Sequence, residues 1–246
     1  MPDVDLALLY LYSYLIGSVP TAYLIGRLVR GIDIRQFGSG NLGGTNVFYH
    51  VGKWWIIPPG AFELFAKGAS PIWIGMLLLD VSVEGPFGSD TINYVFGFDR
   101  SSAALAGASL LSIAGHNWSI FLKFQGGRGL AVASGAYFAF AFYPLLIFVA
   151  SSLLVWRVFR SPATVILASL ALVPLWTFLM GQSSTIVWYC AAAMGLVVLK
   201  RLTSNWTPFP KDLPLGKVLF NRLVRDRDVD SRDAWVFRMP VNDKAP

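Results

Sequence analysis

Apolar residues occur along the chain in long runs that are separated by short polar connections. The first run covers about residues 6–28, the second about 54–79 and the third about 103–122. A single α-helix needs about 20 apolar residues to span a bilayer, or about 17 at the short end. Each of these runs is long enough, and each predicts a transmembrane helix.

The stretch from 130 to 199 is almost continuously apolar and is interrupted at three places. The interruptions are Pro144, the cluster RVFRSP at 157–162 and GQSS at 181–184. They divide the stretch into four further runs, at about 130–143, 144–158, 163–180 and 185–199. The pattern therefore predicts an all-α, polytopic membrane protein with about seven transmembrane helices. Six is the alternative, because the division at Pro144 is the weakest of the three.

Helix breakers lie inside the first two runs. The first contains GSVP at 17–20, which should kink its helix, and the second contains Pro58 and Pro59. Breakers at membrane depth are tolerated where neighbouring helices or polar groups satisfy the freed backbone. Both runs are therefore expected to remain spans.

The composition agrees with a bilayer as the main solvent. Of the 246 residues, 55% are hydrophobic and 14% are charged. Soluble domains average about 25% charged residues. A soluble globular enzyme is therefore excluded.

Charges on the connections predict the orientation of the spans. With the N-terminus outside, the connection after the second run is also outside and is acidic, with Asp80, Glu84, Asp90 and Asp99 against Arg100. The inside connections then carry Arg27, Arg30, Arg35 and Lys53, Lys123 and Arg128, Arg157 and Arg160, and Lys200 and Arg201. Basic residues favour cytoplasmic loops. The prediction is an outside N-terminus and a cytoplasmic C-terminus.

The charge pattern also divides the chain into two parts. Residues 1–202 are predicted to form the transmembrane domain, and residues 203–246 a charged cytoplasmic tail. The tail is rich in Arg, Lys, Asp and Pro. Such a segment is expected to be either partly ordered against the membrane surface or disordered.

The small number of cysteine and histidine residues excludes a disulfide and the usual zinc site. The single cysteine, Cys190, rules out an internal disulfide, and two histidines with one cysteine do not form the usual zinc site. No metal and no cofactor are expected. The net charge of +6 is attributed to basic loops that face anionic lipid headgroups, and not to nucleic-acid binding.

Two glycine-rich polar segments fall on the predicted cytoplasmic side. They are FGSGNLGGTN at 37–46 and GGRG at 126–129. Glycines let backbone N–H groups crowd around an anion. The first segment adds the neutral polar side chains of Ser39, Asn41, Thr45 and Asn46, and the second adds the charge of Arg128. Together they predict a phosphate or carboxylate site at one face of the membrane.

Two ionisable residues in the predicted spans join this hypothesis. Lys67 lies within the second run, and His116 lies at the end of the third. Ionisable groups inside spans are functional candidates by default. Other interpretations remain open: Lys67 could pair with Glu63 or extend its amine to the interface, and the glycines could serve only helix packing.

Four motifs carry a resemblance to a known family. GSVPTAYLIGR, GSGNLGGTNV, the KG pair at 67–68 and GHNWSIFLKFQGGRG occur in that order between residues 5 and 205. In order and spacing they resemble the bacterial membrane glycerol-3-phosphate acyltransferases that use acyl phosphate. The resemblance implies seven spans, an outside N-terminus and a cytoplasmic active site in the cell (inner) membrane.

The resemblance also implies a reaction and its partners. The 1-hydroxyl of glycerol 3-phosphate attacks the carbonyl of an acyl phosphate, which gives lysophosphatidic acid for phospholipid synthesis. An acyl phosphate is already activated, so no Ser or Cys nucleophile is required, and binding and charge stabilisation suffice. Membrane lipids are the remaining partners.

The matching positions give the expected site. His116, Ser39 and Asn41 are expected to be catalytic, with His116 or the substrate's own phosphate as the base. The residues expected to bind substrate or phosphate are Gly38, Gly40, Thr45, Asn46, Lys67, Gly126, Gly127, Arg128, Gly129 and Asn205.

The chain departs from the family pattern at several positions. Tyr49 stands where the family usually has an Arg, Arg128 where it has a Lys, and Leu64 where it has an acidic residue, with Glu63 one step away. The tail is also longer than the family's usual end. A divergent relative, with a changed acceptor or with phosphate or lipid binding in place of catalysis, is therefore the alternative. An anion transporter is disfavoured because the polar groups cluster at one face.

Overall fold

The computed structural model describes residues 3–79 and 100–239. Within these ranges the protein is helical and has no β-strand. Ser119 and Gln125 form an isolated antiparallel β-bridge. The predicted all-α class is confirmed. The acidic connection at 80–99, on which part of the orientation argument depends, lies outside the described residues.

The helices of the membrane domain follow the predicted runs. They are α1 (Asp3–Ser18), α2 (Thr21–Arg30), α3 (Gly44–His50), α4 (Ile57–Ala61), α5 (Ser70–Leu79), α6 (Arg100–Asn117), α7 (Leu130–Phe140), α8 (Phe142–Phe159), α9 (Pro162–Leu179) and α10 (Ser184–Thr203). A π-helical stretch, Phe62–Ala69, joins α4 to α5, so that helical structure continues from Lys53 to Leu79.

Five of the helical stretches in the described ranges are long and apolar enough to cross a membrane. They are Val4–Arg30, Lys53–Leu79, Phe142–Phe159, Pro162–Leu179 and Ser184–Thr203. The third and fourth predicted spans correspond to α6, which is rich in Ser, Ala and Gly, and to α7, which has only 11 residues. The structure therefore shows a polytopic membrane protein, and the total of seven spans stays a prediction.

Proline positions explain where two of the helices break. The kink expected at GSVP is confirmed, since α1 ends at Ser18 and α2 begins at Thr21. The break expected at Pro144 occurs earlier, at Ala141, and Pro144 lies in the first turn of α8. Proline is tolerated in a first helical turn, where its missing N–H has no intrahelical partner to lose.

Glycines allow the central helices to pack with their backbones in contact. A methyl group at Gly17 of α1 would overlap the Ser112 carbonyl of α6, and one at Gly115 of α6 would overlap the Tyr14 carbonyl. Gly68 of the π-helical stretch and Gly135 of α7 pack in the same way. Close approach through small residues is how membrane helices associate without a hydrophobic driving force.

The chain beyond α10 folds back onto the membrane domain. It forms two further helices, α11 (Leu215–Phe220) and α12 (Arg232–Val236). Arg222 anchors the segment: it is 2% exposed, pairs with Asp228 at 2.6 Å and donates to the carbonyls of Leu202 and Thr207. Residues 203–239 are therefore packed on the rest of the chain, and their place at the cytoplasmic membrane surface stays a prediction.

Candidate active site

A narrow pocket opens where α1 breaks before α2. Its walls come from the break itself, from the π-helical stretch, from the end of α6 and from the glycine turn that precedes α7. The lining residues are Ser18, Val19, Pro20, Thr21, Ala22, Leu42, Glu63, Lys67, His116, Ser119, Gly126 and Gly127. The pocket brings together segments from all four sequence motifs.

Four side chains form a polar chain across this pocket. Thr21 Oγ1 donates to Glu63 Oε1 at 2.9 Å, and Glu63 Oε1 lies 3.7 Å from His116 Nδ1. Lys67 Nζ lies 3.3 Å from the same ring nitrogen. Lys67 is 1% exposed, and Glu63 and His116 are also buried. Lys67 therefore faces His116 and neither extends to the interface nor pairs directly with Glu63.

The two contacts of Nδ1 are the basis for assigning the tautomer of His116. A charged ammonium at 3.3 Å can only donate, and the Glu63 carboxylate lies farther away at 3.7 Å, so we assign Nδ1 as the acceptor and place the ring proton on Nε2. Nε2 is directed at Gly127, where a methyl group would overlap it. The Gly127 N–H in turn donates to the His116 carbonyl at 3.0 Å. In this arrangement His116 presents a hydrogen-bond donor to the pocket.

The loop at 37–43 is held in shape by Asn46. The Asn46 amide donates to the carbonyls of Phe37 at 2.9 Å and of Asn41 at 3.1 Å. Gly38 and Gly40 have φ of +52° and +68°, a region that favours glycine. Ser39 Oγ accepts from the Asn41 N–H at 3.2 Å. The side-chain N–H groups of Asn46 are therefore used in hydrogen bonds within the loop. The role of Asn46 toward a ligand stays a prediction.

Asn41 and Thr45, two other polar residues of this segment, have side-chain groups that could contact a ligand. Asn41 Oδ1 is buried and makes no hydrogen bond within the described part of the chain. Thr45 is exposed in the first turn of α3. An unpaired buried acceptor is costly unless a ligand satisfies it. Asn41 is thus the member of the loop whose geometry most favours substrate contact.

Asn205 joins the two glycine segments. Its Nδ2 donates to the carbonyls of Gly40 at 3.2 Å and Gly126 at 3.1 Å. Its Oδ1 accepts from the Gly126 N–H at 2.9 Å and from Lys200 Nζ at 2.6 Å. The amide is fully used by the protein, so Asn205 positions the glycine segments, and direct contact with phosphate stays a prediction.

Arg128 is buried beside the C-terminal segment. Its Nη1 donates to the Lys200 carbonyl at 2.9 Å, and its Nε lies 2.7 Å from Asp226 Oδ1. The neighbouring Gly129 has φ of +72° and precedes α7. Asp226 is thus the carboxylate partner of Arg128 in this structure, and the role of Arg128 toward a phosphate stays a prediction.

An ion pair outside the spans fastens the glycine loop to the turn before α7. Arg35 Nη2 lies 2.6 Å from Asp33 Oδ2, and Arg35 Nη1 donates to Gln125 Oε1 at 3.2 Å. The Arg35 guanidinium holds the pKa of the Asp33 carboxyl below its ordinary value. The charged carboxylate therefore stabilises the folded loop.

Asp33→Asn is expected to lower the melting temperature at pH 7. Because the folded pKa is depressed, the stabilisation is present above the unfolded value, about 3.9, and is lost as pH falls through the folded value. The difference from wild type should disappear in strong acid. Melting curves in detergent from pH 7 to about 1.5 check this, with the exposed Asp212→Asn as control. A difference that does not change with pH would contradict it.

Sequence reasoning missed three residues of this site. Thr21 follows the GSVP break but is an ordinary first-turn residue in the sequence. Lys200 ends an apolar helix, where a cation usually anchors topology, yet it is fully buried. Asp226 lies in the tail, which no motif connected with the pocket. Their roles depend on contacts between segments far apart in the chain.

Comparisons with known proteins agree on one family. A family model described as glycerol-3-phosphate acyltransferase matches residues 7–208. Glycerol-3-phosphate acyltransferase 4 of Dehalococcoides mccartyi is 32% identical over 92% of this chain and 90% of its own length. The corresponding enzyme of Endomicrobium trichonymphae is 31% identical over 78% of this chain and 86% of its own.

The match with the Dehalococcoides relative also covers part of the C-terminal segment. The 8% of the chain left unmatched is shorter than the segment 203–246, so the alignment must enter it. The segment lies beyond the family model but is not wholly peculiar to this chain.

A solved structure has the same fold. It is a crystal structure of PlsY (YgiH), an integral membrane glycerol 3-phosphate acyltransferase, with a TM-score of 0.67 and 22% identity. The superposition covers 89% of this chain and 94% of that one. The family match, the two relatives and the shared fold agree with the motifs that meet at the pocket, and the chain belongs to the glycerol-3-phosphate acyltransferase family.

Proposed function

We propose that the protein transfers an acyl group from acyl phosphate to the 1-hydroxyl of glycerol 3-phosphate and so makes lysophosphatidic acid. Family membership supports the reaction class. The related PlsY structures were solved in a glycerol 3-phosphate form and a lysophosphatidic acid form. These ligands are an acceptor and a product of the proposed reaction.

The observation that carries the proposal is the buried pair of Lys67 and His116 beside the glycine turn. Both direct donors into a pocket that offers no free nucleophile: Ser119 Oγ donates to the Ser18 carbonyl at 2.5 Å. Cys190 is buried in the helix core away from the lining residues. Such a pocket suits an acyl donor that is already activated.

The reaction then needs one displacement. The acceptor hydroxyl oxygen forms a bond to the acyl carbonyl carbon, and the bond from that carbon to the phosphate oxygen breaks. Inorganic phosphate leaves with the electron pair. Donors fixed by the fold stabilise the negative charge that develops on the carbonyl oxygen without reorganising during the reaction.

His116 acts as a donor in this scheme. With its proton on Nε2 and Lys67 donating to Nδ1, the ring has no lone pair facing the pocket. The hydroxyl proton therefore passes to a phosphate oxygen of the substrate, which was one of the two bases considered from the sequence. Asn41, whose Oδ1 is unpaired, accepts a hydrogen bond from the attacking hydroxyl, and Ser39 shapes the loop around it.

The topology belongs to the same proposal. Seven spans, with α6 and α7 among them, an outside N-terminus and a cytoplasmic C-terminus would place the protein in the cell (inner) membrane. Arg35, Arg128 and Lys200 all lie around the glycine segments. Basic residues gather at cytoplasmic ends, so this distribution supports a cytoplasmic site.

Product formation by the purified protein tests the function. Palmitoyl phosphate and labelled glycerol 3-phosphate should give lysophosphatidic acid with one inorganic phosphate per product, and palmitoyl-CoA should not replace the donor. Arg128→Ala should lower the rate, because it leaves Asp226 without its cation beside the turn. A wild-type protein that melts cooperatively yet forms no product would overturn the proposal.

Tyr49 supports one alternative, a relative with a changed acceptor. Its hydroxyl accepts from Arg232 at 3.1 Å, and its ring packs edge-on against Phe237. α3 therefore offers no arginine to a phosphate. If the wild type is silent and Tyr49→Arg gains activity with glycerol 3-phosphate, the changed acceptor is favoured.

A further inference from the structure

The end of the C-terminal segment lies directly on the glycine loop. The Gly38 N–H donates to the Arg238 carbonyl at 2.8 Å, and His50 Nε2 donates to the Val236 carbonyl at 2.9 Å. Phe237, between them, packs edge-on against Tyr49 with 5.4 Å between ring centroids. Three consecutive residues of the segment thus contact the loop and α3.

The backbone contacts place Arg238 beside the loop, and its side chain packs on a neighbouring ring. Its guanidinium stacks on the Trp235 ring, 4.8 Å from the ring centroid, and Trp235 is itself 8% exposed. A methyl group built on Gly40 would lie 3.7 Å from Arg238 Nη2. The charged group therefore lies near the glycine that Asn205 joins to the turn before α7.

Arg238 has no carboxylate partner in the described part of the chain, unlike three other arginines around the glycine segments and the C-terminal segment. Arg35 is paired with Asp33, Arg128 with Asp226 and Arg222 with Asp228. The Arg238 side chain is exposed. Within residues 3–79 and 100–239 it is thus a cation without a carboxylate partner, at the edge of the loop that the proposed topology places in the cytoplasm.

The loop itself supplies no such cation. Residues 37–50 contain neither lysine nor arginine. On its inner side the loop reaches the pocket through Leu42, whose carbonyl lies beside Gly127. The loop thus stands between Lys67 and His116 on one side and Arg238 on the other.

We propose that Arg238 binds the phosphate of glycerol 3-phosphate at the outer edge of the glycine loop. This inference rests on the proposed function. Glycerol 3-phosphate is water-soluble and arrives at the exposed edge, whereas the acyl phosphate is held on the bilayer side by its chain. A guanidinium offers paired N–H donors that match phosphate oxygens, and the stacking on Trp235 pre-organises it.

Steady-state kinetics of three variants test the proposal. Arg238→Gln keeps the stem over Trp235 and removes the charge, Arg238→Lys keeps the charge, and Lys211→Ala removes an exposed charge elsewhere in the same segment. The Gln variant should raise KM for glycerol 3-phosphate at least tenfold, the effect of one charged hydrogen bond. KM for acyl phosphate and kcat should change less than about threefold, and the Lys variant should lie between.

Other outcomes overturn the proposal. It fails if Arg238→Gln and Lys211→Ala raise KM for glycerol 3-phosphate equally, or if KM for both substrates rises together. Melting temperatures show whether any loss comes from unfolding, and a folded Gln variant with wild-type KM also rejects the idea.

Binding measurements separate this inference from the proposed function. If the wild type makes no product, equilibrium binding of labelled glycerol 3-phosphate is compared between wild type and Arg238→Gln. A tenfold weaker affinity of the variant supports the site without catalysis. Equal affinities, or no binding by the wild type, overturn it.

Discussion

Lys67→Met is expected to lower kcat/KM for lysophosphatidic acid formation by about 10² to 10³. Methionine keeps the length of the side chain but cannot donate to His116 Nδ1, which lies 3.3 Å from the ammonium in the native site. The carboxylate of Glu63, 3.7 Å from the same nitrogen, then draws the ring proton to Nδ1. Nε2 loses its proton, and the pocket loses two donors at once.

The measurement is the initial rate with both substrates varied. Lys123→Met is the matched control, because Lys123 is an exposed basic residue beside the glycine turn and should keep wild-type kinetics. Glu63→Gln combined with Lys67→Met removes the negative charge that attracts the ring proton and supplies an amide that can donate to Nδ1, and should recover part of the loss. A Lys67→Met protein with wild-type kcat/KM would contradict the assigned tautomer and the role of the lysine.

Gly127→Ala is expected to lower kcat about 100-fold while the protein still folds. The added methyl group would overlap the His116 ring and lie 2.8 Å from the Leu42 carbonyl. The ring must turn away, and small displacements of a catalytic group reduce rates by about that factor. The rate of lysophosphatidic acid formation at saturating substrate measures the effect.

Gly195→Ala is the matched control for this change. Gly195 lies in α10, and a methyl group there meets nothing within 4 Å. Alanine favours a helix over glycine by about 1 kcal/mol, so this variant should be active and at least as stable as wild type. If Gly127→Ala keeps the activity of Gly195→Ala, the His116 ring is not confined as the structure indicates.

The sequence predicts the helical framework because hydrophobic runs and breakers act locally. The break at GSVP and the start of α9 at Pro162 follow from residues within one turn of each boundary. The meeting of the glycine segments was also predictable, since alternate connections of a polytopic protein share one side. Their direct link through Asn205 was not, because it depends on the path of the chain after α10.

Long-range contacts explain why three other features could not be predicted from the sequence. The π-helical stretch that carries Glu63 and Lys67 has no marker in a sequence that fits an ordinary helix. His116 is equally compatible with an interfacial position, and only the packing of α6 against that stretch brings it to Lys67. The sequence of the C-terminal segment predicts only a polar tail. The structure shows that Arg222 and Asp228 form a buried ion pair within it.

The break after Ser18 has a consequence for depth in the bilayer. α1 has 16 residues, and at 1.5 Å per residue it extends about 24 Å, less than the roughly 30 Å of a hydrocarbon core. In the proposed topology, with α1 beginning at the outer edge of that core, the floor of the pocket lies several ångströms below the cytoplasmic headgroup plane. A single-chain amphiphile in the leaflet on that side holds its carbonyl near that level. The reactive bond can reach the pocket by lateral diffusion, and the hydrocarbon tail need never leave the lipid.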